Sequence, residues 1–304
     1  MIKRGSPCED YCVLEQIGNG SFGSVHRATH KTSQRTVAIK IMKQKYSSSS
    51  ECSQLREYKT MKHLLLHPNV VQLYDTFLGS TKELCFIMEY MDGGNLYQFI
   101  KERRETSKTI LPSQARDILR QILAALAHIH RQGIFHRDMK PENLLLGTPA
   151  TPDGSPIIKL ADFGLARELK SKPPYTEYVS TRWYRAPEVL LRSSSYSSPV
   201  DLWAVGAIFA EIVTLRPLFP GQSEIDQLYR ICQLLGNEPS CEEWPEGVKL
   251  AHKIGFSFPA ISPRPLQSAL PMASPGSVDI IRQLLHLNPA KRLTAAEALL
   301  HPIF

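Results

Sequence analysis

The residues of this chain that could do chemistry are most concentrated between His136 and Asn143, where the sequence reads His-Arg-Asp-Met-Lys-Pro-Glu-Asn. Asp138 offers a carboxylate that could take a hydroxyl proton, and Lys140 offers an ammonium that could neutralise phosphate charge. Asn143 adds an amide oxygen, a ligand that hard metal ions accept. This combination suggests phosphoryl transfer, provided that a phosphate-covering loop, a second lysine and a second metal-binding carboxylate lie elsewhere in the chain.

Gly18, Gly20 and Gly23 form a glycine-rich segment near the start of the chain. Glycines at this spacing let a backbone come close to a polyphosphate, but the same spacing also occurs in dinucleotide-binding folds. A dinucleotide fingerprint opens a helix, whereas residues 24–28 continue here as a strand-like segment. A β-branched run then ends in Val-Ala-Ile-Lys at Lys40, which supplies the second lysine on a predicted strand.

Glu57 is the candidate partner of Lys40. It lies in a helix predicted over residues 51–66, which follows the lysine strand in the chain. A glutamate on a helix is most simply a solvated side chain. An ion pair would instead hold the Lys40 ammonium on the phosphates, and we favour that interpretation.

Asp162, which opens an Asp-Phe-Gly triplet, is the candidate second metal-binding carboxylate. Residues 157–160 read as a short strand, and the apolar stretch after Asn143 reads as its partner across a polar turn. The two strands form a predicted hairpin. Both metal-binding residues should therefore lie at the ends of one compact unit.

The remaining pattern predicts an α+β architecture in two lobes. Strand-like segments dominate up to Tyr90, and amphipathic helices are predicted over residues 96–104 and 113–130, with Ser113 as the N-cap of the second. A hinge is expected at residues 89–94. The predicted parts of this single domain are a tail at 1–10, a small lobe with an antiparallel sheet and one main helix at 11–91, and a larger, mainly helical lobe at 92–304.

Composition narrows the class of protein. The 304 residues are 42% hydrophobic and 21% charged, and no apolar run suits a membrane span or a secretory signal, so an intracellular protein without membrane contact is expected. The six cysteines lack metal-binding spacing, so free thiols are expected. The net charge of +7 is compatible with nucleic-acid binding, but the basic residues are not clustered, so no nucleic-acid partner is expected.

These motifs occur in the order and spacing of the eukaryotic protein kinases, and the chain resembles that family over residues 11–304. The matching positions are Gly18, Gly20, Gly23, Lys40, Glu57, His136, Arg137, Asp138, Lys140, Asn143, Asp162, Phe163, Gly164, Ala186, Pro187 and Glu188. The resemblance implies the bilobal protein kinase fold, with ATP and Mg²⁺ as the phosphate donor and its metal. Lysine two residues after Asp138 is typical of the serine/threonine-specific branch.

The resemblance also assigns chemical roles. Asp138 and Lys140 would be catalytic, and Lys40 would hold the α- and β-phosphates. Asn143 and Asp162 would hold Mg²⁺.

The nucleotide site is likewise implied by the resemblance. Its lining would be Ile17, Gly18, Gly20, Gly23, Val25, Ala38, Lys40, Glu57, Met88, Glu89, Met91 and Asn95. Met88 would be the gatekeeper, and the backbone of Met91 would pair with adenine. The hinge is one residue longer than in close relatives, so either Asp92 or Asn95 could reach the ribose.

Thr176 and Tyr178 lie one residue apart between the Asp-Phe-Gly and Ala-Pro-Glu triplets. A hydroxyl in a loop is usually only solvated, but at this place we favour regulatory phosphorylation. The guanidinium groups that could bind the phosphates belong to Arg137, Arg167, Arg182 and Arg185.

Within the protein kinases, residues 171–188 and 214–221 resemble the male germ cell-associated kinase family. That family is related to the MAP kinases and the cyclin-dependent kinases. That family implies phosphorylation of Tyr178 and Thr176 by the chain itself or by an upstream kinase. It also implies protein substrates in which Ser or Thr precedes proline, for which Arg185 would shape the pocket.

Two further residues are expected to support the active site. Asp201 resembles a buried aspartate that orients the catalytic loop, although an N-cap is the simpler alternative. Arg292 is positioned to pair with Glu188.

An active kinase is the first hypothesis, and a pseudokinase that acts as a scaffold is the alternative. The intact lysines, aspartates and asparagine of the motifs argue against the scaffold. We expect a monomer in the cytoplasm or the nucleus, and the family resemblance adds the cilium.

Overall fold

The structure, a computed structural model, describes residues 2–20, 23–149, 154–168, 182–236, 243–259, 261–262 and 264–304. These residues form a small lobe built on a sheet and a larger lobe built mostly from helices, which confirms the predicted α+β class. Within these ranges, no helix is both long and apolar enough to cross a bilayer.

The small lobe contains a six-stranded sheet with the order β1-β5-β6-β4-β3-β2. The strands are β1 (Lys3–Arg4), β2 (Tyr11–Asn19), β3 (Gly23–His30), β4 (Thr36–Lys45), β5 (Leu73–Leu78) and β6 (Glu83–Glu89). Buried β-branched and aromatic side chains such as Val37, Ile39 and Phe86 favour strands here. Val25 pairs with Lys40, so the glycine-rich hairpin of β2 and β3 lies directly beside the lysine strand.

The segment 1–10, expected to be a tail, joins this sheet from its third residue. β1 pairs with β5 in parallel, and the Lys3 ammonium lies 2.6 Å from the Asp75 carboxylate. Ser6 and Glu9 then form a reciprocal capping box around a short 3₁₀ turn. Both side chains of β1 are exposed, so the sequence carries no apolar alternation that could have predicted this strand.

The helix predicted over residues 51–66 is two helices, α1 (Ser49–Gln54) and α2 (Arg56–His63). Leu55 between them is extended, with φ −61° and ψ 131°, so the prediction of one continuous helix was wrong. Ser48 caps α1 by accepting a hydrogen bond from the Glu51 amide at 3.1 Å. α2 begins one residue before Glu57 and turns that carboxylate towards β4.

Helices dominate the large lobe. They are α3 (Leu96–Glu105), α4 (Pro112–Arg131), α5 (Pro187–Leu190), α6 (Pro199–Thr214), α7 (Glu224–Leu235), α8 (Pro245–Lys253), α9 (Leu266–Ala269), α10 (Pro275–Leu284) and α11 (Ala295–Ala298). α6 is buried along most of its length, with Trp203 fully enclosed, and forms the centre of the lobe. α4 begins at Pro112, because proline suits the first helical position, and the N-cap is Leu111 rather than the expected Ser113.

A buried ion pair joins two distant parts of the large lobe, as expected. The Arg292 guanidinium donates to both carboxylate oxygens of Glu188, each at 2.7 Å. It also donates to the backbone oxygens of His286, Pro199 and Leu287. The Arg292 side chain is 0% exposed and its cation is therefore fully compensated inside the protein.

Two short ladders frame the stretch from His136 to Asn143. Their strands are β7 (Ile134–Phe135), β8 (Leu144–Gly147), β9 (Ile157–Leu160) and β10 (Arg167–Glu168). β8 and β9 are antiparallel, which confirms the predicted hairpin. β7, which directly precedes His136, pairs with β10, which follows the Asp-Phe-Gly triplet. The start of the stretch from His136 to Asn143 and the segment after the triplet therefore lie side by side.

Candidate active site

The backbone of the catalytic stretch is held by Asp201 of α6. The Asp201 carboxylate accepts hydrogen bonds from the backbone amides of His136 and Arg137, both at 2.8 Å. Arg137 has a φ of +73°, a strained value for a residue with a side chain, so the two bonds hold an unfavourable backbone conformation. The N-cap of α6 is Ser198, and the simpler N-cap role for Asp201 was therefore wrong.

Asp138, Lys140 and Asn143 meet as predicted, and we call them the catalytic-loop cluster. The Lys140 ammonium lies 2.7 Å from Asp138 Oδ2. Asn143 donates through Nδ2 to the same oxygen at 3.0 Å and to the Asp138 carbonyl at 2.8 Å. These two bonds fix the orientation of the amide, so its oxygen is the atom that a metal ion could use.

Lys40, Glu57 and Asp162 form a second group, the Lys40 cluster. The Lys40 ammonium lies 2.6 Å from Glu57 Oε1 and 3.1 Å from Asp162 Oδ1. The predicted ion pair between Lys40 and Glu57 is therefore confirmed. One ammonium, from β4, links a carboxylate on α2 to a carboxylate that follows β9.

Burial and opposite charge compete in the Lys40 cluster. Burial alone would lower the pKa of Lys40, but Glu57 and Asp162 outweigh it and raise that pKa, so the ammonium stays charged. Burial alone would raise the pKa of Asp162, but Lys40 outweighs it and holds that pKa below its usual range. Both groups therefore carry their charges at neutral pH.

His136 connects the two clusters through the backbone. Its Nε2 atom donates to the Ala161 carbonyl at 3.0 Å, and its ring meets the buried Phe163 ring edge-on at 5.2 Å. Asp162 lies between Ala161 and Phe163 in the chain and has a positive φ of +63°. The position of Asp162 thus depends on the loop that carries Asp138.

A cleft of about 570 Å³ between the lobes contains the predicted nucleotide residues. Its lining includes Ile17, Gly18, Gly20, Gly23, Val25, Ala38, Lys40, Glu57, Met88, Glu89, Met91, Asn95, Asn143 and Asp162. Pockets for ligands of nucleotide size are usually about 300–1,000 Å³, so the cleft is large enough. Leu145 of β8 also lines it and was missed; Asn143 belongs to the 3₁₀ turn before that strand, so no strand spacing connects the two residues.

Three predicted cleft residues have additional structural duties. A Cβ atom on Gly23 would lie 2.2 Å from the Ile41 carbonyl, so this glycine is required by the sheet itself. The Asn95 side chain caps α3 by accepting from the Gln98 amide at 3.0 Å. The Glu89 carboxylate lies 3.0 Å from Lys159, which leaves its backbone as the part suited to the hinge.

The donor set fits a polyphosphate with a hard divalent cation. In the Lys40 cluster, two carboxylates share one ammonium, so the cluster carries excess negative charge. The Asp162 side chain is 36% exposed and the Asn143 amide oxygen is an oxygen donor of the kind that Mg²⁺ prefers. The two lysines supply the positive charge that phosphates need.

The predicted regulatory residues are only partly described. Thr176 and Tyr178 lie outside the described residues. Arg137 donates to the Tyr196 hydroxyl at 2.6 Å, and Arg167 lies in β10. The other two arginines contact residues at the start of α7. Arg182 donates to the Gln222 carbonyl at 3.2 Å, and the Arg185 guanidinium lies 3.3 Å from the Glu224 carboxylate.

Comparison with known proteins agrees with this geometry. The protein kinase domain model matches residues 11–304. Serine/threonine-protein kinase MAK of Rattus norvegicus is 51% identical over 97% of this chain and 45% of its own length. Serine/threonine-protein kinase ICK of Mus musculus is 50% identical over the same shares, and cyclin-dependent kinase F-4 of Oryza sativa subsp. japonica is 49% identical over 96% of this chain and 61% of its own length.

The chain spans about half the length of the curated relatives MAK and ICK. The matched region contains both lobes and every motif described above. On its fold, its cleft and these matches, the chain belongs to the protein kinase family.

Proposed function

We propose that this chain is an active serine/threonine protein kinase that transfers the γ-phosphate of ATP to hydroxyls of protein substrates. One observation carries the proposal: the Lys40 cluster and Asn143 line the same cleft. Asn143 is in turn hydrogen-bonded to Asp138, which is paired with Lys140. Relatives named as serine/threonine kinases support it. A pseudokinase scaffold would need neither cluster.

The residues of the chain have separate tasks in this reaction. Asp138, whose carboxylate is held by Lys140 and Asn143, would accept the proton of the substrate hydroxyl. Lys140 would neutralise charge on the transferring phosphoryl group. Lys40 would bind the α- and β-phosphates, and Glu57 keeps its ammonium in place.

Asn143 and Asp162 are the residues that would hold Mg²⁺. When bound, the ion supplies positive charge that neutralises the phosphate oxygens. Asn143 is oriented for this task by its bonds to Asp138, and Asp162 keeps its negative charge because Lys40 holds its pKa low. The chain thus aligns the donor phosphate and the acceptor hydroxyl before any bond changes.

Incubation of the chain with Mg·ATP and a Ser-Pro peptide tests the proposal. We expect the peptide to gain one phosphate, detected by mass spectrometry. Nucleotide binding without phosphate transfer by a correctly phosphorylated chain would support the scaffold instead.

The proposal extends to proline-directed substrates. Arg185 follows the 3₁₀ turn at Arg182–Tyr184, its side chain is buried, and Glu224 holds its guanidinium. A fixed arginine next to Ala186 and Pro187 could shape a pocket that prefers the residue after the target hydroxyl. Matched Ser-Pro and Ser-Ala peptides test this: equal rates for both would argue against proline direction.

The proposal also includes activation through Thr176 and Tyr178. The positions of the arginines in the chain support it, because Arg137 directly precedes Asp138 and Arg167 follows Asp162 closely. Phosphorylation is by the chain itself or by an upstream kinase. Mass mapping of both residues in active protein is the test, and a fully active chain without either phosphate would contradict the switch.

For the whole protein, we propose a monomer that acts on protein substrates in the cytoplasm or the nucleus, with the cilium added by family resemblance. Imaging of the tagged full-length protein tests the location, and a membrane-bound or secreted pool would contradict it.

A further inference from the structure

A second cavity, of about 260 Å³, lies on the small-lobe sheet, and we call it the outer-sheet cavity. The start of β2, the turn between β3 and β4, and β5 contribute to its lining, which includes Tyr11, His30, Ser33, Arg35, Val37 and Tyr74. Val37 and Lys40 are three positions apart on β4, so their side chains lie on opposite faces of the sheet. Within the described ranges, the outer-sheet cavity and the nucleotide cleft have no lining residue in common.

Aromatic rings make up much of this lining. The Tyr11 ring meets the His30 ring edge-on at 5.0 Å, and the Tyr74 ring lies on β5. The Val37 side chain is buried and adds an apolar contact. Pockets for drug-sized molecules are usually larger, about 300–1,000 Å³, so the space suits a single ring better than a nucleotide.

Arg35 supplies the positive charge of the lining. Its guanidinium lies over the Tyr74 ring at 4.0 Å and donates one hydrogen bond to the Tyr74 hydroxyl. In the part of the chain that the structure describes, no carboxylate pairs with it, so most of its five N–H donors are available. The turn that carries it is ordered, because the His30 amide donates to the Arg35 carbonyl and the Gln34 amide donates to the His30 carbonyl, both at 2.9 Å.

Three further groups of the lining are hydrogen-bond donors. The Ser33 amide donates to His30 Nδ1 at 3.1 Å, so Nδ1 is an acceptor and Nε2 carries the hydrogen; among the described residues, Nε2 has no partner. The Tyr74 hydroxyl accepts from Arg35 and keeps its own hydrogen. Burial raises the pKa of Tyr11 and of Tyr74, so both hydroxyls stay protonated at neutral pH.

The lining residues include no carboxylate, and the acidic groups around them are offset. Asp75 and Glu89 are each paired with a lysine, at 2.6 and 3.0 Å. Asp10 lies beside Lys31, whose amide donates to the Asp10 carbonyl at 2.8 Å and whose side chain brings a positive charge to the same turn. The uncompensated charge at the cavity is therefore that of Arg35, and an anion is the ligand it favours.

We propose that the outer-sheet cavity binds an aryl phosphate, the phosphate monoester of an aromatic ring. The ring packs among the side chains of Tyr11, His30 and Tyr74, and the phosphate accepts hydrogen bonds from Arg35 and its neighbours. A phosphate matches this set better than a carboxylate does, because it has three strong acceptor oxygens and nearly two negative charges. Free aryl phosphates and phosphotyrosine side chains share this chemistry.

Phenyl phosphate is the probe, and its binding is followed by NMR through the imidazole signal of His30 in chain labelled with ¹³C-histidine. His30→Gln assigns that signal. Arg35→Gln should weaken binding about tenfold, because it removes a charged fork of donors. Tyr74→Phe keeps the ring and removes one hydroxyl, so a loss of about threefold is expected.

Two controls separate this site from other anion binding. Arg216→Gln, which removes an exposed arginine of the large lobe, should leave the affinity for phenyl phosphate unchanged. Lys40→Met should also leave it unchanged, because the proposed site needs neither the nucleotide cleft nor catalysis. Binding that depends on Arg35 in a chain that transfers no phosphate would refute the proposed function and support this site.

Three results would overturn the proposal. One is equal affinity of phenyl phosphate for Arg35→Gln and the unmodified chain. Another is loss of binding in Lys40→Met, which would place the probe in the nucleotide cleft. The third is equal affinity for phenyl phosphate and inorganic phosphate, which would leave the aromatic rings without a role.

A peptide with one phosphotyrosine among alanines distinguishes the two sources of the group. Tighter binding of this peptide than of phenyl phosphate would identify a protein segment as the ligand, and weaker binding would identify a free aryl phosphate. The same peptide without its phosphate should not bind. Equal affinity of the two peptides would overturn the assignment of the anion.

Discussion

Two of the buried ion pairs in the described part of the chain look alike in composition and differ in function. In the large lobe, Arg292 and Glu188 are 0% and 5% exposed, and one carboxylate meets one guanidinium through two bonds. In the cleft, Lys40 and Glu57 are 11% and 9% exposed, but Asp162, at 36%, competes for the same ammonium. The Arg292–Glu188 pair is inaccessible to ligands. The Lys40 cluster has two carboxylates for one ammonium, and its Asp162 side chain is partly exposed to solvent.

The difference teaches that burial of a salt bridge does not reveal its role. A saturated pair locks elements together, because either partner alone would be a buried uncompensated charge. An unsaturated cluster can exchange one of its contacts for a phosphate or a metal ion. Counting the bonds made by each charged group separates the two cases.

Breaking the saturated pair should have the largest effect on stability. Arg292→Leu leaves the Glu188 carboxylate buried without a cation and should lower the free energy of unfolding by about 3–5 kcal/mol. Urea denaturation measures the loss. The matched control is Arg282→Leu, whose pair with Asp279 is exposed and should contribute about 1 kcal/mol or less. Equal losses in the two variants would contradict the distinction.

Breaking the unsaturated cluster should act mainly on catalysis. Lys40→Met should reduce phosphate transfer about 10²–10³-fold, the usual cost of losing one preorganised electrostatic contact. Its loss of stability should be smaller than that of Arg292→Leu, because burial raises the pKa of Glu57 and Asp162 reaches solvent. Transfer assays and urea denaturation of the same preparation measure both effects. A larger loss of stability with transfer retained would reverse the assignment.

A half-buried histidine that stacks on another histidine should give the smallest effect. His67 stacks on His128 at 4.6 Å, and burial, His128, Lys159 and Arg131 lower the pKa of His67 from its ordinary 6.5. Its neutral form therefore contributes stability in full above about pH 6.5, and this contribution is lost as the pH falls towards the lowered folded value.

His67→Gln, which does not titrate, removes this dependence. The difference in unfolding free energy between the unmodified chain and His67→Gln should shrink between about pH 7.5 and pH 5.5. Urea denaturation at both pH values checks it. A difference that stays constant or grows at the lower pH would contradict the lowered pKa.

The sequence predicted the parts whose spacing is set by chemistry. Glu57, Asp162 and the residues after His136 could be placed because phosphate binding requires particular groups in a particular order. Arg292 and Glu188 could be paired through the family resemblance alone, since they are far apart in the chain. The kinase family and the α+β fold were predicted and are confirmed.

The parts that the sequence did not predict depend on local backbone choices. The break at Leu55 replaces a helical residue by an extended one although the apolar periodicity continues through it. Ser113 looked like an N-cap, but Pro112 already occupies the first helical position. The close approach of Gly23 to Ile41 could not be read from spacing, because it depends on the register between two strands.

The most direct test of the central claim is the rate of phosphate transfer by Asp138→Asn, compared with Asp10→Asn as a control on an exposed aspartate. Loss of the proton-accepting carboxylate should slow single-turnover transfer about 10²–10⁴-fold, while the affinity for Mg·ATP stays within about twofold. Asp10→Asn should transfer phosphate at the unmodified rate. Full transfer by Asp138→Asn would contradict the assignment of Asp138 as the group that accepts the hydroxyl proton.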